Sequence, residues 1–333
     1  MSIVESIHDW AIGFFGVEEV IRIIKSGDYR SLQTLKGIMA VVGPLLPIVT
    51  VLEFFVALFY EKFKLIEYKI SFFSYLINAV IGRFISIAAV AYIIGTLSSH
   101  ALFKSSFTWY WFIYGYIIWE LGHFVYHYLA HKVRLLWCLH STHHAPRHMN
   151  LAVSFAHFFL EAPYADVIRT STCILLGVSP PILFLVMFID GFWGGFIHIG
   201  ERLGKKARCG FLFDYILTPS HHRVHHGRNP LYMDTNFCNL LNIWDRVFGT
   251  YQPESDKIPV EYGITREMKD HSFTDAYFGE IVFLIKDVAS APGIKNKLLY
   301  LVKPPGWSHE GDHKTAKRVR DKALQENAWM SKG

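Results

Sequence analysis

Long apolar runs decide which solvent this chain can fold in. Residues 38–60, 70–97 and 107–126 are predominantly apolar, and a bilayer's hydrocarbon core, about 30 Å thick, takes about 20 such residues per helix. Three single spans are expected. Pro44 and Pro47 fall inside the first run and Arg83 inside the second, which leaves both open to a kink or to splitting into a shorter hairpin. With 52% of its 333 residues hydrophobic and 16% aromatic, the chain is too apolar for an ordinary water-soluble domain of this length.

The first nine residues carry Glu5 and Asp9 and no basic head before an apolar run, so insertion by internal helices is expected, without a secretory signal peptide. The stretch up to Lys36 mixes apolar and charged residues at helical spacing and is expected to lie along the interface. Between Pro163 and His198 the charged residues are Asp166, Arg169 and Asp190, and Ser179, Pro180 and Pro181 interrupt the middle. This segment is expected to cross twice, as a hairpin turning near Pro180. Lys132, Arg134, Arg147, Lys205, Lys206 and Arg208 flank the histidine clusters and place them on the cytosolic side. Lys314, Lys317, Arg318, Arg320 and Lys322 read as a solvated basic tail. Cys138, Cys173, Cys209 and Cys238 form no CxxC pair, so neither a disulfide framework nor a thiolate metal site is signalled, and nothing points to nucleic acid. The expected divisions are 1–106, interfacial and transmembrane helices; 107–252, the catalytic region; and 253–333, a cytosolic segment ending in the tail.

Thirteen of the 18 histidines lie between His123 and His226. His127 and His131 are four apart; His140, His143 and His144 stand at i, i+3 and i+4, and His222, His225 and His226 repeat that pattern. In helices each set projects from one face. Taken singly, a membrane histidine is a polar residue bonded to a neighbouring helix; eight in matched spacings exceed the four ligands of one tetrahedral zinc and leave room for two metals. An apolar substrate and the lack of a thiol or carboxylate nucleophile point to iron and to oxygen chemistry at an aliphatic carbon. No GxGxxG signature is present, so electrons are expected from a partner protein or a diffusible reductant. A histidine-relay metal-binding or transport protein would need ionisable groups through its spans, and the first spans offer few besides Glu53 and Arg83. A haem protein would leave most clustered histidines without a role.

HYLAH at 127–131, HSTHH at 140–144 and HRVHH at 222–226 resemble the three boxes of the fatty acid hydroxylase and sterol desaturase superfamily, in order and spacing. Within it the chain looks most like the alkylglycerol monooxygenases, from LLW at 135–137, HHAPRHMNL at 143–151, TPSHHRVHHGRN at 218–229, DTNF at 234–237, IWDRVFGT at 243–250 and PPGW at 304–307. The resemblance implies an all-α integral membrane protein, a transmembrane helical bundle whose cytosolic histidine-rich cap holds two iron ions. It implies His127, His131, His140, His143, His144, His222, His225 and His226 as ligands, with His198 of FIHIGERLG as a ninth. His157, His123, Glu120, Asp234, Asn236 and Asp245 fall at positions that imply a ligand or an outer partner; Glu120, seven residues before His127, would orient an imidazole. The implied reaction is O2-dependent hydroxylation of a lipid at an aliphatic carbon, such as the ether-linked carbon of an alkylglycerol. A sterol or fatty-acyl hydroxylase or desaturase is the alternative. Lys132 and Arg147 stand where the alkylglycerol group has acidic residues, and Ala156 and His157 where it has an Arg-Gln pair. These departures bear on the substrate and on tetrahydrobiopterin as electron donor, not on the irons. The implied membrane is the endoplasmic reticulum in a eukaryote and the inner membrane in a bacterium.

Overall fold

The computed structural model describes residues 5–6, 8–9, 12–13, 16–27, 30, 37, 40–41, 44–60, 65–201, 207–208, 210–269 and 272–326. Lys36, Lys205, Lys206, Cys209 and His271 lie outside them. Among the described residues every regular element is helical, apart from one bridge between Ile216 and Leu241. The chain divides into two compact units, 1–63 and 64–333. In the first, α1 (Glu18–Ser26) has Glu18 and Glu19 in its first turn and Lys25 in its last, matching the helix dipole, and Gly27 ends it in the left-handed region at φ 64°. α2 (Leu45–Tyr60) begins directly after Pro44 and carries Pro47 in its first turn, where no N–H is needed. The prolines therefore start this helix instead of kinking it.

The second unit opens with α3 (Leu65–Ile77), a π-helical turn (Asn78–Gly82) and α4 (Arg83–Leu97). Within them Tyr68–His100 is the one helix among the described residues long and apolar enough to cross a membrane. The irregular turn sits just before Arg83, where the 157–159 loop packs in: Asn78 Nδ2 donates to the His157 carbonyl at 2.8 Å, and a Cβ on Gly82 would lie 3.0 Å from the Phe159 carbonyl. α5 (Trp109–Lys132) has 24 residues, about 36 Å at 1.5 Å per residue, and runs past the expected end at 126 to carry the first histidine box. Val133 is extended and α6 (Arg134–His144) follows at once, turning the second box back on the first.

α7 (Glu161–Leu175) and α8 (Pro180–Phe196) form the two halves of the 163–198 segment. Gly177 turns the chain at φ 83°, where a Cβ would meet the Phe103 ring at 2.7 Å, and Pro180 opens α8. The halves have 15 and 17 residues, about 22 and 26 Å, short of the roughly 30 Å hydrocarbon thickness. The three charges between 163 and 198 are paired: Arg169 donates to Asp166 at 2.7 Å and stands 4.0 Å from Asp190, while Asn239 donates to Asp190 at 2.7 Å. The Arg169 guanidinium also lies over the Trp119 ring at 4.7 Å. Such pairing is what makes burial of charge tolerable. Tyr116, Trp119, Ile174, Ile182, Leu183 and Val186 form the core between α5 and this hairpin. The division expected at 106 falls inside the second unit.

The later chain adds α9 (Pro219–His225), α10 (Ile243–Phe248), α11 (Phe273–Ser290), α12 (Gly293–Val302) and α13 (Ala316–Glu326). α11 lies along α6, tied by Glu280, which accepts from Arg266 at 2.8 Å and pairs with Arg134 at 2.9 Å. Its first residue, Phe273, packs on Phe73 of α3 at 5.4 Å between ring centroids.

Close helix approach depends on Gly122, whose added Cβ would lie 2.9 Å from the Arg169 Cα. Gly122→Val should therefore part α5 from α7 at a cost of about 1–3 kcal/mol and lower the melting temperature of the solubilised protein. Gly191→Ala is the control: its Cβ meets nothing within 4 Å, and alanine favours the helix. Equal melting temperatures for the two variants would contradict this packing.

Candidate metal centre

Two histidine clusters occupy the junction of α5, α6, α9 and the segment after α8. In one, the ring nitrogens of His127, His131, His140, His144 and His225 all lie within 4.8 Å of one another; in the other, those of His143, His198, His222 and His226 do. All nine side chains are buried. The helical repeat explains the division. Neighbouring residues point about 100° apart, so His140 and His144 join the first cluster while His143 turns to the second. On α9, His225 joins the first cluster and His222 and His226 the second. Each HxxHH helix thus serves both.

The far nitrogen of most rings is committed to an acceptor. Nδ1 of His127 donates to the Phe237 carbonyl at 2.9 Å, that of His225 to the Thr235 carbonyl at 2.9 Å, and that of His198 to the Gly194 carbonyl at 2.6 Å. His140 donates to Glu161 Oε1 at 2.5 Å and His131 to Asp234 Oδ1 at 3.3 Å. With hydrogen held on Nδ1, each Nε2 presents a lone pair inward. These nitrogens crowd together: His127 to His140 3.0 Å, His140 to His144 3.1 Å, His143 to His198 3.1 Å, His198 to His222 2.8 Å and His222 to His226 3.1 Å. Nε2 of His131 and of His225 are buried with no hydrogen-bond partner. Burial first, then repulsion from neighbouring imidazoles, holds His143, His144, His222, His225 and His226 neutral, their pKa values well below the ordinary histidine range. Facing lone pairs repel unless a cation lies among them. Imidazoles bind a metal at about 2.1 Å, and two at right angles on one ion stand about 3 Å apart. The donor set fits two nitrogen-ligated ions.

The 234–241 segment straps the first cluster in place. Three of its groups, Asp234 and the carbonyls of Thr235 and Phe237, set the rings of His131, His225 and His127. Asp234 and Asn236 both hold φ near 57°, which asparagine and aspartate tolerate better than other side chains. Asn236 donates to the carbonyls of His221 and Gln252 at 3.0 and 2.7 Å, and Asp245 accepts from the N–H groups of Phe237 and Cys238 at 2.8 and 2.9 Å. Burial pushes the Asp245 carboxyl above the usual range. Burial works the same way on Asp234, but His131 and Lys132 outweigh it and hold its carboxyl low. Lys132, singled out as a charge reversal, is the ion-pair partner of Asp234 on the outer side of His131.

Glu120 does not orient an imidazole as expected. Its oxygens accept from the N–H groups of Asn239, Leu240 and Leu241 at 3.0, 2.6 and 2.9 Å, fixing the far end of the strap. His123 stands outside both clusters with its Nδ1 3.7 Å from Asp190. His157 is also outside them; its ring stacks on His143 at 4.2 Å and its Nδ1 donates to Glu161 Oε2 at 2.8 Å. His221 closes a capping box with Thr218 at the start of α9, and burial pushes its pKa down to about 3. His309 and His313 pack on Tyr300 and Trp307 in the C-terminal segment. Glu161 was missed by the sequence reading. Its only local signal is its place four residues after His157, whose ring stacks on His143.

A cavity of about 530 Å³ reaches His131, His144, His225 and His226 from the C-terminal side, past Arg134, Arg266 and Lys314.

Residues 111–250 match the family model described as fatty acid hydroxylase. This region is similar to the fatty acid hydroxylase family. The chain is 32% identical over 192 residues to an alkylglycerol monooxygenase of Xenopus tropicalis, covering 56% of this chain and 40% of that protein. It is 34% identical over 208 residues to one of Danio rerio, covering 61% and 43%. An ornithine lipid hydroxylase of Rhizobium tropici is 27% identical over 153 residues, 46% of this chain and 45% of the relative. The chain thus spans about two-fifths of the length of the alkylglycerol monooxygenases it matches. No solved structure matches it.

Within the matched region, Glu161→Gln tests how far the outer partners matter. Loss of the carboxylate that His140 and His157 share should weaken metal retention by roughly 10–100-fold, read by competition with a graded chelator. Retention equal to wild type would show that Glu161 does not orient the cluster.

Proposed function

We propose that this chain is an integral membrane di-iron monooxygenase that hydroxylates an aliphatic carbon of a lipid. His127, His131, His140, His144 and His225 would hold one iron, and His143, His198, His222 and His226 the other. The observation that carries this reading is the inward crowding of buried imidazole nitrogens about 3 Å apart. Iron bound there supplies the redox capacity that activation of O2 and attack on an unactivated C–H bond require, and that acid-base side chains lack. The balance is one C–H, O2, two electrons and two protons to one C–OH and water.

The chain's own residues keep the ligands ready. Glu161, Asp234 and the carbonyls of Gly194, Thr235 and Phe237 hold hydrogen on the outer ring nitrogens, so that no ring need turn or lose a proton to bind. The apolar core of α5, α7 and α8 excludes water on one side of the clusters. The cavity beside Arg134 and Lys314 supplies a route for a polar two-electron donor on the other, a tetrahydropterin or a partner protein. In this reading the membrane bundle comprises the 68–100 candidate span, α5 and the α7–α8 hairpin, and the basic residues flanking the histidine clusters support a cytosolic side for them. The relatives named for alkylglycerols and ornithine lipids favour a substrate whose polar head remains at the interface while one chain enters the bundle.

The test is incubation of membranes containing the protein with lipid extract, reductant and ¹⁸O2. One labelled hydroxyl, or the aldehyde released when an ether carbon is hydroxylated, should appear in the product, and His225→Ala should abolish it. A new double bond without label would make the chain a desaturase. No O2-dependent product with any lipid class would contradict the reading.

A further inference from the structure

The C-terminal hairpin is apolar on the wrong side for a segment that faces water. On α11, Phe278, Val282 and Ile285 recur at i, i+4 and i+7; on α12, Ile294, Leu298 and Val302 recur at i, i+4 and i+8. Each set makes one stripe along its helix, and all six side chains are between 42 and 72% exposed. The opposite face of α11 is satisfied: Tyr277, Glu280 and Leu284 are buried against α6 and the 264–268 segment. Two adjoining helices with exposed stripes exceed the scattered apolar residues normal on a soluble surface.

Three further observations say what covers them. Lys286, Lys295 and Lys297 lie close to the stripes, Lys295 and Lys297 on either flank of Leu298, the arrangement of helices that seat in an anionic interface. An apolar groove of about 520 Å³ continues from Ile285 inward between Leu135, Leu139, Phe158 and Leu301, with Lys297 its one charged residue. The hairpin also starts at the end of the candidate span: Phe273 packs on Phe73, and Ala276 shares a buried cluster with Ile70. With 68–100 as a span, its first turns lie toward one boundary of the bilayer's hydrocarbon.

We propose that α11 and α12 lie in the membrane interface, with both stripes in the acyl region of an anionic leaflet and the groove holding one acyl chain beneath the Lys297 ammonium. α11 and α12 then hold the α6 side of the histidine clusters to the bilayer surface, instead of standing free in the cytosol. This rests on 68–100 being a span, and not on the identity or number of the metals.

The full-length protein in phosphatidylcholine nanodiscs, with and without phosphatidylglycerol, provides the test. A bimane label is placed on Leu298→Cys, on Asn296→Cys at the opposite side of α12, and on Phe84→Cys in the 68–100 helix, with the parent protein's labelling subtracted. Nitroxides on the lipid acyl chains should quench Leu298 and Phe84 at least twofold more than Asn296. Lys286→Glu, Lys295→Glu and Lys297→Glu together should reduce quenching at Leu298 only where phosphatidylglycerol is present. Water-like emission at Leu298 with Phe84 quenched would overturn the interfacial hairpin alone. Absence of quenching at both would overturn it together with the span. A Leu298 label shielded from water yet unquenched by lipid would mean that protein covers this face, which also contradicts the proposal.

Discussion

Everything in the 111–250 region is arranged around nine buried imidazoles whose ring nitrogens converge in two groups that could each hold a cation. Ring nitrogens crowd there at 2.8–3.1 Å in a dry interior, where a shared cation satisfies them together. The fold maintains that arrangement by tying the opposite side of five of the rings, His127, His131, His140, His198 and His225, to carbonyls and carboxylates. α5 is long enough to carry the first box in its last turns, and α6 begins one residue later, which returns the second box to the first.

The strap at 234–241 shows how polar groups that touch no proposed ligand still serve the centre. Glu120 and Asp245 hold its backbone N–H groups, Asn236 ties it to the 221 and 252 carbonyls, and the strap's own carbonyls set two rings. Arg169, Asp190 and Asn239 extend this network into the apolar hairpin, where each charge has its partner. Removing one member leaves a buried group unmatched, so position and stability are the same property here.

The histidines were legible because their i, i+3 and i+4 spacing is a helical face that any reader of the chain can draw. Their division into five and four was not drawn, although the 100° turn between His143 and His144 contains it. The carbonyls of Thr235 and Phe237 leave no trace in side-chain identity, so the strap's orienting role was invisible. Glu120 and Asp245 were recognisable as positions but not as backbone acceptors, since a carboxylate serves imidazole or amide equally well. A break near Pro180 followed from proline's missing N–H, but the start of α2 just after Pro44 did not, because the apolar run continues through both prolines and only the structure shows the helix beginning there. The π-helical turn at 78–82 did not either, because it depends on the 157–159 loop packing beside Asn78 and Gly82. The stripes of α11 and α12 sit in a stretch whose mean polarity hid them.

The most direct measurement is metal content per chain, by elemental analysis with X-ray absorption, on purified wild type, His143→Ala, His225→Ala and the double variant. Two irons in wild type with nitrogen neighbours at about 2.1 Å, a reduced content in each single variant and near-complete loss in the double, are predicted. One zinc per chain, haem, or a metal content indifferent to both substitutions would contradict a two-iron centre built from these two clusters.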